Sequence, residues 1–284
     1  MASPPLNPKV SFHVRSISLP STSHPLILSV EEHLCRLRSS EATSCSSSTF
    51  DNLSALFESV EDLVSQKAAS IDKSNKYVNS VLDGSLSLLD ICSSIREVFL
   101  QFKESVQDIQ SALRRKRELS LETDVGVYMI AKKQLKKMVQ KCLSDLKKAM
   151  KKNEDSIIQD ESDVVILSVL KEVESITLSI FKSLLSRLQT RTTGWSLVST
   201  FKQNKRVSCD GEEANIFELE KVDIALSTLV CKKSSKGTQV LNAENMQKTL
   251  KEVELSMQIL DDKLECIYKS LIRTRFSLLN ILSQ

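Results

Sequence analysis

The chain has 284 residues, of which 41% are apolar, 26% are charged and only 5% are aromatic. It holds 5 glycines and 5 prolines, and every proline lies at or before Pro25. Hairpins and bulges depend on these residue types, so the composition argues against an all-β fold and favours helices after the first 25 residues. The net charge of +3 is too balanced for a dedicated nucleic-acid-binding protein.

The cysteines and the apolar runs exclude further classes. Seven cysteines are scattered along the chain without a Cys-x-x-Cys pair, which fits a reduced intracellular compartment and predicts no zinc site. No apolar run after the first 25 residues approaches the roughly twenty needed to span a bilayer. We therefore expect a cytoplasmic protein, with no metal and no other cofactor.

Residues 1–25 have the composition of a tail. They contain all the prolines, many Ser and Thr, and no acidic residue, so we predict a disordered segment, with an organelle transit peptide as the alternative. Within it, Arg15, Ser18 and Pro20 form an Arg-Ser-x-Ser-x-Pro motif. Phosphorylated at Ser18, this motif would suit the Arg cluster of a 14-3-3 protein, although short motifs also recur by chance.

The first two predicted helices flank a polar segment. Apolar residues at steps of three and four predict a helix over residues 26–38 and another from about Thr49. Between them, residues 39–49 are rich in Ser and Thr and are predicted to be a flexible linker. Residues 65–75 are polar, and their pattern does not distinguish a helix from a loop.

Three longer helices are predicted next. One apolar stripe covers residues 88–113 and ends at a basic run. Another helix is predicted from about Asp124, with its apolar stripe from Tyr128 to Ala149. Asp163 is a plausible N-cap for the following helix, which breaks near Thr192.

The last helix has the clearest pattern. From Met246 its apolar residues alternate steps of four and three, apart from Thr274. This 3.5-residue period is typical of helices packed side by side. We predict an all-α fold, in which residues 26–284 form a single elongated antiparallel helical bundle behind the tail.

Candidate catalytic groups are scarce. The three histidines, His13, His24 and His33, all precede the long helices, and no glycine-rich phosphate loop is present. Paired carboxylates such as Asp261 and Asp262 are adjacent, so on a helix they diverge by about 100° and do not converge on a substrate. We expect a protein that is not an enzyme.

Positive charge is concentrated in one helix. From residue 114 to residue 152 there are 13 basic and 4 acidic residues. The helix predicted there is either a bundle helix with its lysines in water, a calmodulin-type target, or a face that docks on anionic membrane. Its stripe has no Trp or Phe anchor, and no aromatics interleave with the lysines to stack bases, so nucleic acid is not expected as a partner. The candidate docking face consists of Lys132, Lys133, Lys136, Lys137, Lys141, Lys147 and Lys148.

Several blocks resemble a known plant family. They include FHVRSISLP, DNLSALFESVEDL, QDIQSALRRKR, EKVDIALSTL and LECIYKSLIRTRFSLLNILS. In this order they resemble the plant-specific family called domain of unknown function 241, which is similar at greater distance to BYPASS-type proteins. The chain departs from the family over residues 64–75, where a proline-containing stretch is usual. Because the tail motif lies inside the resemblance, a removable transit peptide loses support.

The resemblance implies a modest function. Such proteins are thought to be all-helical, have no known catalytic residues or cofactor, and are associated with root and shoot development. Distant relatives have been connected with exocyst components. The sequence therefore predicts a non-enzymatic interaction protein that acts through protein contacts. The alternative is a peripheral membrane or vesicle-tethering adaptor that uses the basic helix face.

Overall fold

The fold is all-α, as predicted. The computed structural model describes residues 24–41, 47–67, 76–115, 121–155, 165–190, 222 and 236–283. In that part of the chain six long helices carry the structure and no strand occurs. They are α1 (Pro25–Glu41), α2 (Ser47–Lys67), α3 (Lys76–Arg114), α4 (Leu121–Asp155), α5 (Val165–Thr190) and α6 (Lys236–Ser283).

Helix α1 starts where its proline requires. Pro25 occupies the first helical position, where a missing N–H costs nothing and the fixed φ is already helical. His24 caps this end: its carbonyl oxygen accepts from the Ile27 N–H at 2.8 Å, and its Nδ1 accepts from the Leu26 N–H at 3.3 Å. The start of α1 is thus set by local chemistry.

The predicted Ser/Thr-rich linker is largely taken up by helix. Residues 39–41 end α1 and residues 47–49 begin α2, so the linker boundaries were too wide. Ser39 Oγ donates to the Cys35 carbonyl oxygen at 2.9 Å, which shows how a serine can join a helix by bonding one turn back. Residues 42–46 lie outside the described residues.

Three of the longer helices extend beyond their predicted starts. Helix α3 begins at Lys76 rather than Leu88, and α6 begins at Lys236 rather than Met246. Buried Val78 and Val81 hold the added turns of α3 against the core. Helix α4 starts slightly before the predicted Asp124. The predicted N-cap of α5, Asp163, lies outside the described residues.

Helix α3 is the centre of the bundle. It packs against α4, α5 and α6, while α2 bridges α6 and α1, and α1 returns to α5. Helices α3 and α6 are antiparallel, because Ser85 near one end accepts from Arg275 at 3.0 Å and Gln110 near the other end bonds Glu254 at 3.1 Å. The 48 residues of α6 extend about 72 Å, which makes the bundle elongated.

Helix α2 runs in the same direction as α6. Two ion pairs fix this: Lys263 with Asp51 at 2.7 Å, and Arg273 with Glu61 at 2.9 Å. Both partners advance by ten residues between the two pairs. The two helices are far apart in sequence, so no short connection forces them to be antiparallel.

The predicted apolar stripes form the core. Every member of the α3 stripe from Leu88 to Leu113 is buried, and Phe50, Phe57, Phe99, Phe102 and Phe181 are the largest fully buried side chains. One continuous hydrophobic cluster includes residues of all six helices. Burial of these stripes is what holds the helices together, since helix propensity alone stabilises little.

Candidate docking surface on helix α4

The exposed side of α4 forms a straight basic stripe. At about 100° per residue, Lys133, Lys137, Lys141, Lys148 and Lys151 fall within an arc of about 80°. All five are exposed. We call these five residues the α4 outer stripe. It arises because the opposite side of the helix carries the apolar residues that pack on α3 and α5.

Lys132 does not belong to this surface. It was predicted to lie on the docking face, but the residue is buried, with a relative exposure of 7%. It follows buried Tyr128 by four residues and precedes buried Leu135 by three, which places it on the packed side of the helix. The remaining predicted lysines, Lys136 and Lys147, lie on one flank of the stripe, half-buried and exposed respectively.

Among the described residues, ion pairs are found at the C-terminal end of the surface. Lys148 bonds Asp145 on the same helix at 2.9 Å, and Lys152 reaches Asp83 on α3 at 2.9 Å. Within the described part of the chain, no carboxylate pairs with Lys133, Lys137 or Lys141. Uncompensated positive charge is therefore greatest in the N-terminal half of the stripe.

The stripe begins next to exposed aliphatic side chains. Ile130 is 60% exposed and lies on the line of the stripe, one turn before Lys133, and Val127 beside it is 51% exposed. Gly126 has no side chain. A Cβ there would meet no atom within 4 Å, so the space around this position is open. This apolar end was not predicted from the sequence. Its signal was Ile130 itself, which is out of phase with the buried stripe.

A shallow pocket lies between α3 and α4 near this end. Its volume is about 190 Å³, and its lining includes Ser105, Asp108, Arg115, Val127 and Tyr128. The opposed charges of Asp108 and Arg115 leave it no strong preference for a charged ligand. We assign it no chemistry.

The groups with shifted pKa values belong to helix contacts. Burial raises the pKa of the Cys92 thiol to about 12 and that of Cys142 to about 11. Burial also raises the pKa of the Glu174 carboxyl, although its ion pair with Lys171 at 2.9 Å acts in the opposite direction. Raised thiol pKa values suppress the reactive thiolate, so neither cysteine is an activated nucleophile.

Among the residues that the structure describes, no three His, Cys, Asp or Glu side chains are grouped to hold a metal ion. Within the same ranges, no helix has the length and apolarity required to cross a bilayer. The predicted phosphorylation motif at Arg15, Ser18 and Pro20 lies outside the described residues and stays a prediction.

These observations define a class of protein, namely an all-helical bundle with a basic stripe on one outer helix. A family model described as Protein BPS1 matches residues 49–281. The chain belongs to this family, which confirms the predicted resemblance to a BYPASS-type plant family. No curated protein and no solved structure matches the chain significantly.

Proposed function

We propose that this chain is a non-enzymatic interaction protein of plant development, an adaptor whose α4 outer stripe holds an acidic partner. The observation that carries the proposal is the separation of charge on α4. From residue 127 to residue 152 the helix has nine lysines and one acidic residue. Such a surface raises the local concentration of a negatively charged partner and speeds its association.

The ionic contacts elsewhere support this assignment by contrast. Between α3 and α6, Arg96 Nε donates to Asp261 at 2.9 Å and Arg96 Nη2 lies 3.3 Å from Glu265. On α1, Arg36 pairs with Glu32 of the same helix. These charges are compensated within the fold, whereas those of Lys133 and Lys137 are offered outward.

The positions of the groups with shifted pKa values support the proposal that the protein is not an enzyme. Glu174 lies between α5 and α3 against Gly84, while Cys92 lies on α3 facing α6, where its Sγ is 3.6 Å from the Leu264 carbonyl oxygen. Each group is engaged in packing, and they do not share a cleft. Catalysis normally needs such groups to converge near one reacting atom.

The biological setting rests on the family. Membership of the BPS1 family suggests a loose link with plant development. Exocyst components and 14-3-3 proteins are candidate protein partners, the former through the family resemblance and the latter through phosphorylated Ser18. We place the adaptor in the cytoplasm, at least partly at the periphery of membranes.

Complementation tests the proposal. Plants that lack the gene would receive the wild-type chain, the variant Lys133→Glu/Lys137→Glu/Lys141→Glu, or the control variant Lys182→Glu/Lys248→Glu/Lys251→Glu. The control reverses the charge of three exposed lysines on α5 and α6, so its net charge equals that of the α4 variant. We expect growth to be restored by the wild type and the control and not by the α4 variant. Full restoration by the α4 variant at equal protein level would refute the proposed role of the stripe.

A further inference from the structure

The residue types of the α4 outer stripe favour a lipid partner over a protein partner. Its charged groups are all lysines, which are flexible point charges without the planar fork that arginine offers a single carboxylate. Protein interfaces are depleted in lysine, and their strongest contacts come from Trp, Tyr and Arg. None of these residues lies on the stripe. A surface of many interchangeable phosphate and carboxylate groups suits such lysines better than one protein side chain.

The shape of the stripe also suits a flat surface. From Ile130 to Lys151 the line extends about 32 Å along one side of a helix. Helix α4 packs against α3 and α5 through its other side. One straight row of exposed residues can therefore approach a plane along its whole length without moving another helix.

The apolar end supplies the second contribution that a membrane needs. Ile130 and Val127 project beside the most strongly uncompensated lysines, at 60% and 51% exposure. Interfacial helices bind by burying apolar side chains near the headgroups while lysines attract anionic lipid. Ile130 and Val127 would take the place of the Trp or Phe that the stripe lacks.

We propose that the α4 outer stripe docks on an anionic lipid bilayer, with Ile130 and Val127 buried at the headgroup boundary. This inference rests on the proposed function and names the partner of that surface. Each lysine near an anionic membrane contributes roughly fivefold to the affinity. Burial of the exposed part of Ile130 contributes roughly another fivefold.

Vesicle co-sedimentation of the full chain tests the proposal. The vesicles are phosphatidylcholine alone, or equal parts of phosphatidylcholine and phosphatidylserine. We expect binding to the mixed vesicles only, weakening as salt increases. Lys133→Gln/Lys137→Gln/Lys141→Gln should bind roughly a hundredfold more weakly, and Ile130→Ser roughly fivefold more weakly. The control Lys182→Gln/Lys248→Gln/Lys251→Gln should bind like the wild type, and circular dichroism should show that all variants keep the helical fold.

Several other results of these experiments would contradict the proposal. No binding to mixed vesicles, or equal loss in the α4 and control variants, would overturn the proposal. So would an Ile130→Ser variant that binds as tightly as the wild type, because insertion would then be absent. Soluble poly-glutamate that binds the wild type more tightly than the vesicles do would point instead to an acidic protein. In each of these cases the complementation test still decides separately whether the stripe is needed in the plant.

Discussion

The carboxylate of Glu174 on α5 lies directly against the backbone of Gly84 on α3. A Cβ at residue 84 would be 2.1 Å from Glu174 Oε2, well inside contact distance. Gly84 therefore allows a buried carboxylate to fit where two helices meet, although glycine weakens a helix interior. Lys171 supplies the compensating charge at 2.9 Å.

Gly84→Ala should destabilise the bundle. The helix itself would gain up to about 1 kcal/mol, but Glu174 would be pushed away from Lys171 with its charge still buried, which costs more. We expect a net loss of about 1 to 2 kcal/mol in the free energy of unfolding, measured by urea denaturation. Gly126→Ala is the matched control, because its Cβ meets no atom within 4 Å. It should gain about 0.5 to 1 kcal/mol, and equal effects of the two substitutions would contradict the packing described.

Glu174 also predicts a pH dependence of stability. Burial raises the pKa of its carboxyl above the ordinary value of 4.5 in the folded state. The folded chain then binds this proton more tightly than the unfolded chain, so the contribution is favourable at pH values below 4.5 and is lost as the pH rises through the folded pKa. The wild type should therefore lose stability relative to Glu174→Gln between pH 4.5 and pH 7. A difference that stays constant over this range in denaturation curves would show that the pKa is not raised.

Arg96 joins α3 to α6 through two carboxylates at once. Its side chain is 31% exposed and bonds Asp261 and Glu265. Lysine has no planar fork to span both partners, so we expect Arg96→Lys to cost about 0.5 to 1 kcal/mol. Arg36→Lys, in a pair within one exposed helix, should cost less than about 0.3 kcal/mol. Thermal unfolding of the two variants side by side checks this, and an equal or larger effect at Arg36 would argue against the bridging role.

Thr274 is a polar residue at a core position of α6. It is buried, and within the described residues its Oγ1 has no hydrogen-bond partner. Thr274→Val should stabilise the protein by about 1 kcal/mol, because an unsatisfied hydroxyl is replaced by a methyl group. Thr177 is the control: it is also buried, but its Oγ1 donates to the Val173 carbonyl oxygen. Thr177→Val should bring no gain, and a larger gain there than at Thr274 would be the wrong outcome.

The four cysteines that the structure describes should react in two groups. Cys35 and Cys266 are exposed, whereas Cys92 and Cys142 are buried. With its pKa raised from 9.0 to about 12, Cys92 has about a thousandfold less thiolate at neutral pH. Iodoacetamide labelling followed by peptide mass spectrometry should modify Cys35 and Cys266 in the native protein. Cys92 and Cys142 should react only in denaturant, and early modification of Cys92 would contradict its burial.

Much of the fold was predictable because helical periodicity is local. The stripe from Leu88 to Leu113 is buried as expected, since residues three and four apart share one face whatever packs against it. Boundaries were harder. Lys76 begins α3 well before its predicted start, because packing against the core extends a helix into polar sequence. Ser39 and Ser48, predicted in a linker, are helical although both are exposed. Ser39 donates a hydrogen bond to the Cys35 carbonyl oxygen one turn back.

The candidate site was predicted in part. The sequence identified the basic helix, and most of its lysines do face outward. It did not separate Lys132 from Lys133, although the position of Lys132 between Tyr128 and Leu135 contains that information. The exposure of Ile130 depends on tertiary structure, because α3 and α5 cover the other side of α4.

By itself, the amino-acid sequence determined the helical class, the buried stripes and the concentration of lysine in one helix, because all three depend on neighbours within a few turns. Tertiary structure alone decided that α2 runs parallel to α6, that Gly84 admits the Glu174 carboxylate, and that Arg96 meets two carboxylates. These are contacts between residues far apart in the chain. Their geometry depends on how whole helices are placed, which no local pattern specifies.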